Sequence, residues 1–180
     1  FSFQTCDDMK LVSCLAERCT GNGFHPGSGS NRFLVSSCVA RDCGQNGLFY
    51  CLRARYGTLE DCLFERNKGH GVSIGGRDTD NMNRKLVIRR NGGAGIYLRD
   101  ETVETAPHRN IIAGCKIENN CQKDGEAEIV LQGSVQGISI TGNRILRNGG
   151  KPGILVSPGV VKPVLRNNRI IPSGPGSIVK

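Results

Sequence analysis

The sequence predicts an all-β fold, a single-stranded right-handed parallel β-helix of about seven rungs of ~24 residues each. Three observations predict it. Gly23, Gly47, Gly71 and Gly95 stand 24 residues apart, and each precedes an apolar residue: Phe24, Leu48, Val72 and Ile96. Two further columns keep that period, one running Cys19, Cys43, Asn67, Asn91 and the other Cys14, Cys38, Cys62, Leu86. Short alternating runs such as LVSSCVA, TLEDCLF, GVSI and GIYL recur between Gly, Asn and charged turns, and no segment carries a helical apolar stripe. The missing helical period excludes βαβ folds and repeats with helical backs. At ~4.8 Å per rung the rod is roughly 35 Å long.

The regular copies cover residues 11 to 98. Beyond them the spacing lengthens to 29, 28 and 25, through Cys115, Ile117, Asn120 and Ile129, then Asn143, Ile145, Asn148 and Ile154, then Asn168, Ile170 and Ile178. The surplus is expected between strands, at Asp100 to Arg109 and Gln122 to Glu126, where solenoids tolerate insertions. The chain 1–180 is one domain, and its ends, Phe1-Ser2-Phe3 and Ser177 to Lys180, read as incomplete rungs of a longer rod.

In a solenoid, residues one period apart stack, so columns become ladders. The Cys14, Cys38, Cys62, Leu86, Cys115 column reads as inward, reduced thiols packed as small hydrophobes. A ~4.8 Å rung spacing would also admit disulfides, but the count of nine is odd and no C-x-x-C pair occurs. Asn67, Asn91, Asn120 and Asn148 form an expected ladder of turn asparagines. Glu17, Arg41, Glu65, Arg89 and Glu118 alternate in sign, as do Arg18, Asp42 and Arg66 until Arg90 breaks the pattern. Opposite charges on neighbouring strands favour the register, so this face is assigned to stability.

Composition narrows the partners. The 24 Lys+Arg against 16 Asp+Glu give +8, and residues 129 to 180 hold seven basic residues and no acidic one. An electropositive end attracts a polyanion such as an acidic polysaccharide; it also protects strand edges. Nucleic acid is the poorer partner, because the basic residues are not interleaved with stacking aromatics. No stretch reaches the ~20 apolar residues of a membrane helix.

The segment with most chemistry is NGFHPGSGSNRF, residues 22 to 33. In register, His25 lies over Phe49, Ser73 and Tyr97, Gly29 over Arg53 and Arg77, and Ser30 over Ala54 and Asp78. His25, Arg53, Arg77 and Asp78 are therefore the candidate catalytic residues, able to hold an acidic sugar and abstract a proton beside its carboxylate. Tyr50, Arg55, Asp80, Asn81 and Tyr97 are the candidate substrate-binding residues. No cofactor is assigned; Asp78 and Asp80, two residues apart, leave a shared Ca²⁺ open. Each residue also has a structural reading: a turn hydrogen bond for His25, turn composition for Asp78 to Asn81, packing for the tyrosines.

The repeat over residues 11 to 179 resembles the right-handed parallel β-helix proteins of the pectate-lyase-like superfamily, which includes polysaccharide lyases, hydrolases and uronan epimerases. Gly23-Phe24-His25-Pro26-Gly27 is distantly similar to the mannuronan epimerase strand end, Gly, apolar, Asp-Pro-His. Here His25 stands where that motif has Asp and Gly27 where it has His, which removes that acid–base pair. The resemblance implies a secreted or periplasmic protein that acts on, or binds, an acidic uronate-containing polysaccharide, with a lyase- or epimerase-like activity as one expectation and a non-catalytic solenoid as the other.

Overall fold

The computed structural model describes residues 1–180, which form 22 short strands and no helix. All pairing is parallel, and strands three apart in sequence are neighbours, so every rung adds one strand to each of three faces. The first face stacks Leu48–Phe49, Val72–Ile74, Ile96–Leu98, Ile129–Leu131, Ile154–Val156 and Ile178–Val179. The pair Ser2–Gln4 and His25–Gly27 extends it below, joined by Phe49 N–H to Phe24 O at 3.0 Å and Cys51 N–H to Pro26 O at 3.0 Å. The second and third faces carry seven strands each. The predicted solenoid of about seven rungs is the fold.

The core is filled by columns that the register makes contiguous. Phe24, Leu48, Val72, Ile96, Ile129 and Ile154 line the first face, and Ala40, Phe64, Ile88, Ile117 and Ile145 the third. The repeating glycine just before the first face is required by close approach. A Cβ on Gly71 would lie 2.2 Å from Ile88 Cγ2 and 2.6 Å from the Gly95 carbonyl, so no other residue fits between stacked rungs there.

The corner between the second and third faces is turned by two residues. The first adopts left-handed φ: Ser13, Ser37, Asp61, Lys85, Gly114, Gly142 and Asn167. The second is the inward Cys or Asn, replaced in one rung by Leu86. Such φ values cost non-glycine residues about 1 kcal/mol or more, and the ladder beside them offsets this. Cys62 Sγ accepts from Cys38 N–H at 3.4 Å and donates to Val35 O at 3.5 Å. Asn143 makes the same two bonds, from Cys115 N–H at 2.8 Å and to Ile112 O at 3.1 Å. A thiol and an amide therefore do one job, and all nine cysteines are free. Burial pushes the Cys62 thiol up to about 12 and Cys115 to about 11, keeping both protonated as donors.

The other asparagine ladder runs Asn67, Asn91, Asn120, each amide oxygen capping the rung before. It departs from expectation at its upper end. The insertion after the third face brings Glu128, not Asn148, over Asn120: Glu128 Oε2 accepts from Asn120 Nδ2 at 2.7 Å and Oε1 from Asn120 N–H at 3.0 Å. The Asn148 amide instead donates to Asn120 O at 2.7 Å. The alternating charge column forms discrete pairs, with Arg41 on Glu17 at 2.6 Å and Arg89 on Glu65 at 2.8 Å, while Glu118 is paired by Arg144 from a neighbouring column.

Candidate functional site

Side chains alternate along each strand, so between the two inward columns of the first face one column points out: Ser2, His25, Phe49, Ser73, Tyr97, Val130 and Leu155. A groove of about 530 Å³ runs over it, floored by Phe49, Ser73 and Tyr97 and walled by Lys68, His70, Arg99 and Lys123. It continues past the shared His70 and Tyr97 into a recess of about 310 Å³ whose far wall carries Asp124, Glu126 and Gln132. The Gln122 to Glu126 insertion builds that wall, tied down by Lys123 N–H and Asp124 N–H to Gly92 O at 2.9 and 3.0 Å.

Arg99 organises the floor. It follows the first-face strand Ile96–Leu98 and folds back over the two rungs before it. Its guanidinium donates to Ser73 Oγ at 3.0 Å, to Tyr50 O at 3.1 Å and to Asp78 Oδ2 at 3.4 Å, and lies 4.3 Å from the Phe49 ring centroid. This path exists because Gly75 lies beneath it: a Cβ there would stand 2.3 Å from Arg99 Nε. Sequence reasoning missed Arg99. The signal was the Gly75-Gly76 pair directly under it in the register.

His70 is held against Tyr97, ring centroids 4.3 Å apart and 7° from parallel. Its Nδ1 accepts the Ala94 N–H at 3.0 Å, which leaves the ring proton on Nε2. Burial, and then the charge of Arg99, lower its pKa to about 4, so His70 is a neutral donor and not a base. The Tyr97 hydroxyl is bonded to Gln132 Oε1 at 2.6 Å.

The expected cluster divides. His25 stands at the N-terminal end of the groove column, edge-on to Phe49 at 5.6 Å, with Nε2 buried and without a partner. Burial lowers its pKa, helped by the charge of Arg99. Arg53, Arg55 and Arg77 lie instead at the corner between the first and second faces, and Arg55 and Arg77 line a different cavity from the groove. Asp78 is fully buried at that corner: Oδ1 accepts from Ala54 N–H and Oδ2 from Gly75 N–H, both at 3.0 Å. Burial outweighs these donors and raises its pKa to about 7. It closes the turn as Ser30 does two rungs below, and it anchors Arg99.

Tyr50 and Asn81 are internal. Tyr50 is fully buried, its hydroxyl donating to Asn83 Oδ1 at 2.9 Å inside the core, so its ring offers no face to a sugar. Asn81 is 1% exposed and belongs to another ladder, accepting from Gly57 N–H at 2.8 Å and donating to Ala54 O at 3.0 Å. Asp80 is forked by Arg109 at 2.6 and 2.7 Å. The carboxylates of Asp78 and Asp80, read from the sequence as open to a shared calcium ion, are each bonded to protein donors. Of the residues read as binding or catalytic, Tyr97 lines the groove and His25 borders it.

The geometry agrees with a family assignment made on the sequence. A model described as the right handed beta helix region matches residues 1–123 and 54–179. The chain belongs to the right-handed β-helix family. Among curated proteins, none matches it. Among solved structures, this β-helix is similar to the Azotobacter vinelandii mannuronan C-5 epimerase A-module at 18% identity and TM-score 0.78, covering 90% of this chain and 41% of that one. It is similar to a periplasmic alginate epimerase at 12% identity and TM-score 0.69, covering 95% and 47%. A third, an alginate lyase from Paenibacillus, matches at 12% identity and TM-score 0.59 over 99% and 88%. This chain thus spans less than half the length of the two epimerases, and at these identities the likeness is one of fold.

Proposed function

We propose that the protein binds a uronate-containing polysaccharide along the first-face groove and acts on it by proton abstraction beside a sugar carboxylate. The observation that carries the reading is the composition of the groove: the rings of Phe49 and Tyr97, one face of each covered by Arg99 and by His70, give it an apolar floor, while Lys68, Arg99 and Lys123 stand around them as cations. Aromatic platforms hold sugars and guanidinium groups clamp carboxylates. In this scheme Arg99, not Arg53 or Arg77, neutralises the carboxylate and so acidifies the adjacent C–H. His25 is the base through Nδ1, since its unpartnered Nε2 is buried away from the groove. Similarity in fold to alginate and mannuronan enzymes supports the substrate class. A secreted or periplasmic location follows from such a substrate, and five of the nine thiols are buried out of reach of oxidation.

A second reading, binding without turnover, has its own observation. The groove's two ring side chains with acid–base potential are both occupied, His70 Nδ1 by Ala94 N–H and Tyr97 by Gln132. One experiment separates the readings. Purified protein is offered alginate, pectate and a neutral glucan, following the ultraviolet absorbance of unsaturated product and, in parallel, calorimetric binding. Lys68→Ala and Arg99→Ala should each weaken uronan binding about tenfold, and His25→Ala should abolish product while binding persists. Binding without product supports the second reading. Equal binding of the neutral glucan, or no effect of either cation variant, refutes both.

A further inference from the structure

The corner between the first and second faces holds cations that the groove does not use. Of the ten arginines in the regular part of the rod, five sit within ion-pair distance of a carboxylate one rung away: Arg32, Arg41, Arg66, Arg84 and Arg89. Arg53, Arg55 and Arg77 have no such carboxylate, and all three share this corner. The backbone does not demand them. Gly29, Arg53 and Arg77 occupy one column, all at left-handed φ of 77°, 70° and 64°, so glycine makes the same turn one rung earlier without the strain a side chain brings there. Arginine at these positions is therefore explained by its side chain.

The guanidinium groups are also preset. Arg77 Nε donates to Glu104 O at 3.1 Å and Arg55 Nε to Arg77 O at 3.4 Å, which fixes each plane and leaves the terminal nitrogens as donors. Arg55 and Arg77 line a cavity of about 400 Å³ together with Tyr56, Arg109 and His108. Arg109 is neutralised by Asp80. His108 is tied at both nitrogens, to Val103 O at 2.7 Å and to Gln136 N–H at 3.1 Å, and so has no free ring nitrogen to offer a ligand. Glu104 is the one carboxylate in the lining, on an exposed residue at the rim. Two guanidinium groups one rung apart repel unless an anion sits between them. The Tyr56 ring beside them is 58% exposed.

We propose that this corner is a second binding site, separate from the groove, for a sugar-borne oxyanion: Arg55 and Arg77 clamp the anion and Tyr56 stacks on the sugar. A carboxylate and a sulfate ester share that chemistry. Titrations by ¹H–¹⁵N NMR with inorganic sulfate, a uronate oligosaccharide and a sulfated neutral oligosaccharide distinguish the sources. The arginine Nε–H signals of Arg55 and Arg77 should shift in step and saturate. Arg77→Gln should weaken binding about tenfold, Tyr56→Ala should weaken the sugars but not inorganic sulfate, and the groove variant Lys68→Ala should leave the corner unchanged. No saturable shift with any of the three probes overturns the proposal. So does an affinity within about twofold of wild type in the Arg55→Gln/Arg77→Gln double variant. A response abolished by Lys68→Ala also overturns it, since the corner would then be an extension of the groove. Failure of the groove reading, by contrast, leaves the sulfate titration untouched.

Discussion

Asn91 offers the sharpest test of how the rungs are held together. Its side chain is fully buried and makes four bonds: Oδ1 accepts from Asn67 N–H and Asn67 Nδ2, both at 3.0 Å, while Nδ2 donates to Phe64 O at 3.1 Å and Asn120 Oδ1 at 2.8 Å. Asn91→Ala removes all four. The Asn67 amide N–H then has nothing to bond, which costs about 1–3 kcal/mol for a buried donor. The Asn67 amide still reaches Ala40 O, and Asn120 Oδ1 still accepts from Asn91 N–H, so the remaining losses are ordinary bonds at roughly 0.5–1.5 kcal/mol each. The expected total is about 3–5 kcal/mol, a large share of the ~5–15 kcal/mol that holds a typical domain. Asn91→Cys should cost about half as much, because a thiol at the equivalent corner accepts from one rung and donates to a carbonyl, as Cys62 does. The assay is equilibrium urea unfolding followed by far-ultraviolet circular dichroism, with unchanged slope as the check that unfolding stays cooperative. An alanine variant within about 1 kcal/mol of wild type, or a cysteine variant no better than alanine, would refute the ladder account.

Other consequences follow from the same packing. Gly71→Ala must displace Ile88 or the Gly95 carbonyl, which lie 2.2 and 2.6 Å from the added carbon, so a loss of about 2–3 kcal/mol is expected in the same unfolding assay. Tyr50→Phe and Asn83→Leu should each destabilise by about 1–2 kcal/mol, and the double variant by less than their sum, because each single change strands a buried polar partner of the 2.9 Å bond. Asp78, at about 7 in the native state against ~3.9 unfolded, holds a proton over that window that the unfolded chain has lost. Its contribution to stability therefore falls as pH rises through the window, by at most about 4 kcal/mol. Glu128 acts in the same direction and His70 in the opposite one, so the measurement is a difference. Asp78→Asn should gain on wild type steadily between about pH 4 and pH 7, and a constant gap would count against the buried acid.

What the sequence determined by itself was everything that repeats. A fixed period assigns each residue a height along the rod and a side of the wall, because stacking in register is the only way that 24-residue copies bury their apolar runs. The glycine column, the Cys and Asn corners and the alternating Glu/Arg face are all legible on that ground. So is the outward column of His25, Phe49, Ser73 and Tyr97. Tertiary structure decided what does not repeat. Arg99 is one residue past its strand, but its long side chain turns back across Gly75 to a carbonyl two rungs away; a period gives a starting height and not a direction. The insertion at Gln122 to Glu126 could be located by counting, yet only its fold shows that it walls the groove and that Glu128 displaces Asn148 over Asn120. Tyr50 read as surface because the columns do not say that a hydroxyl can be satisfied inside, by Asn83 on the facing sheet. The arginines at the first corner had the right register but the wrong company. Neighbouring heights place residues on one side of the rod, and only the turn between the faces separates Arg55 and Arg77 from the groove that begins at His25.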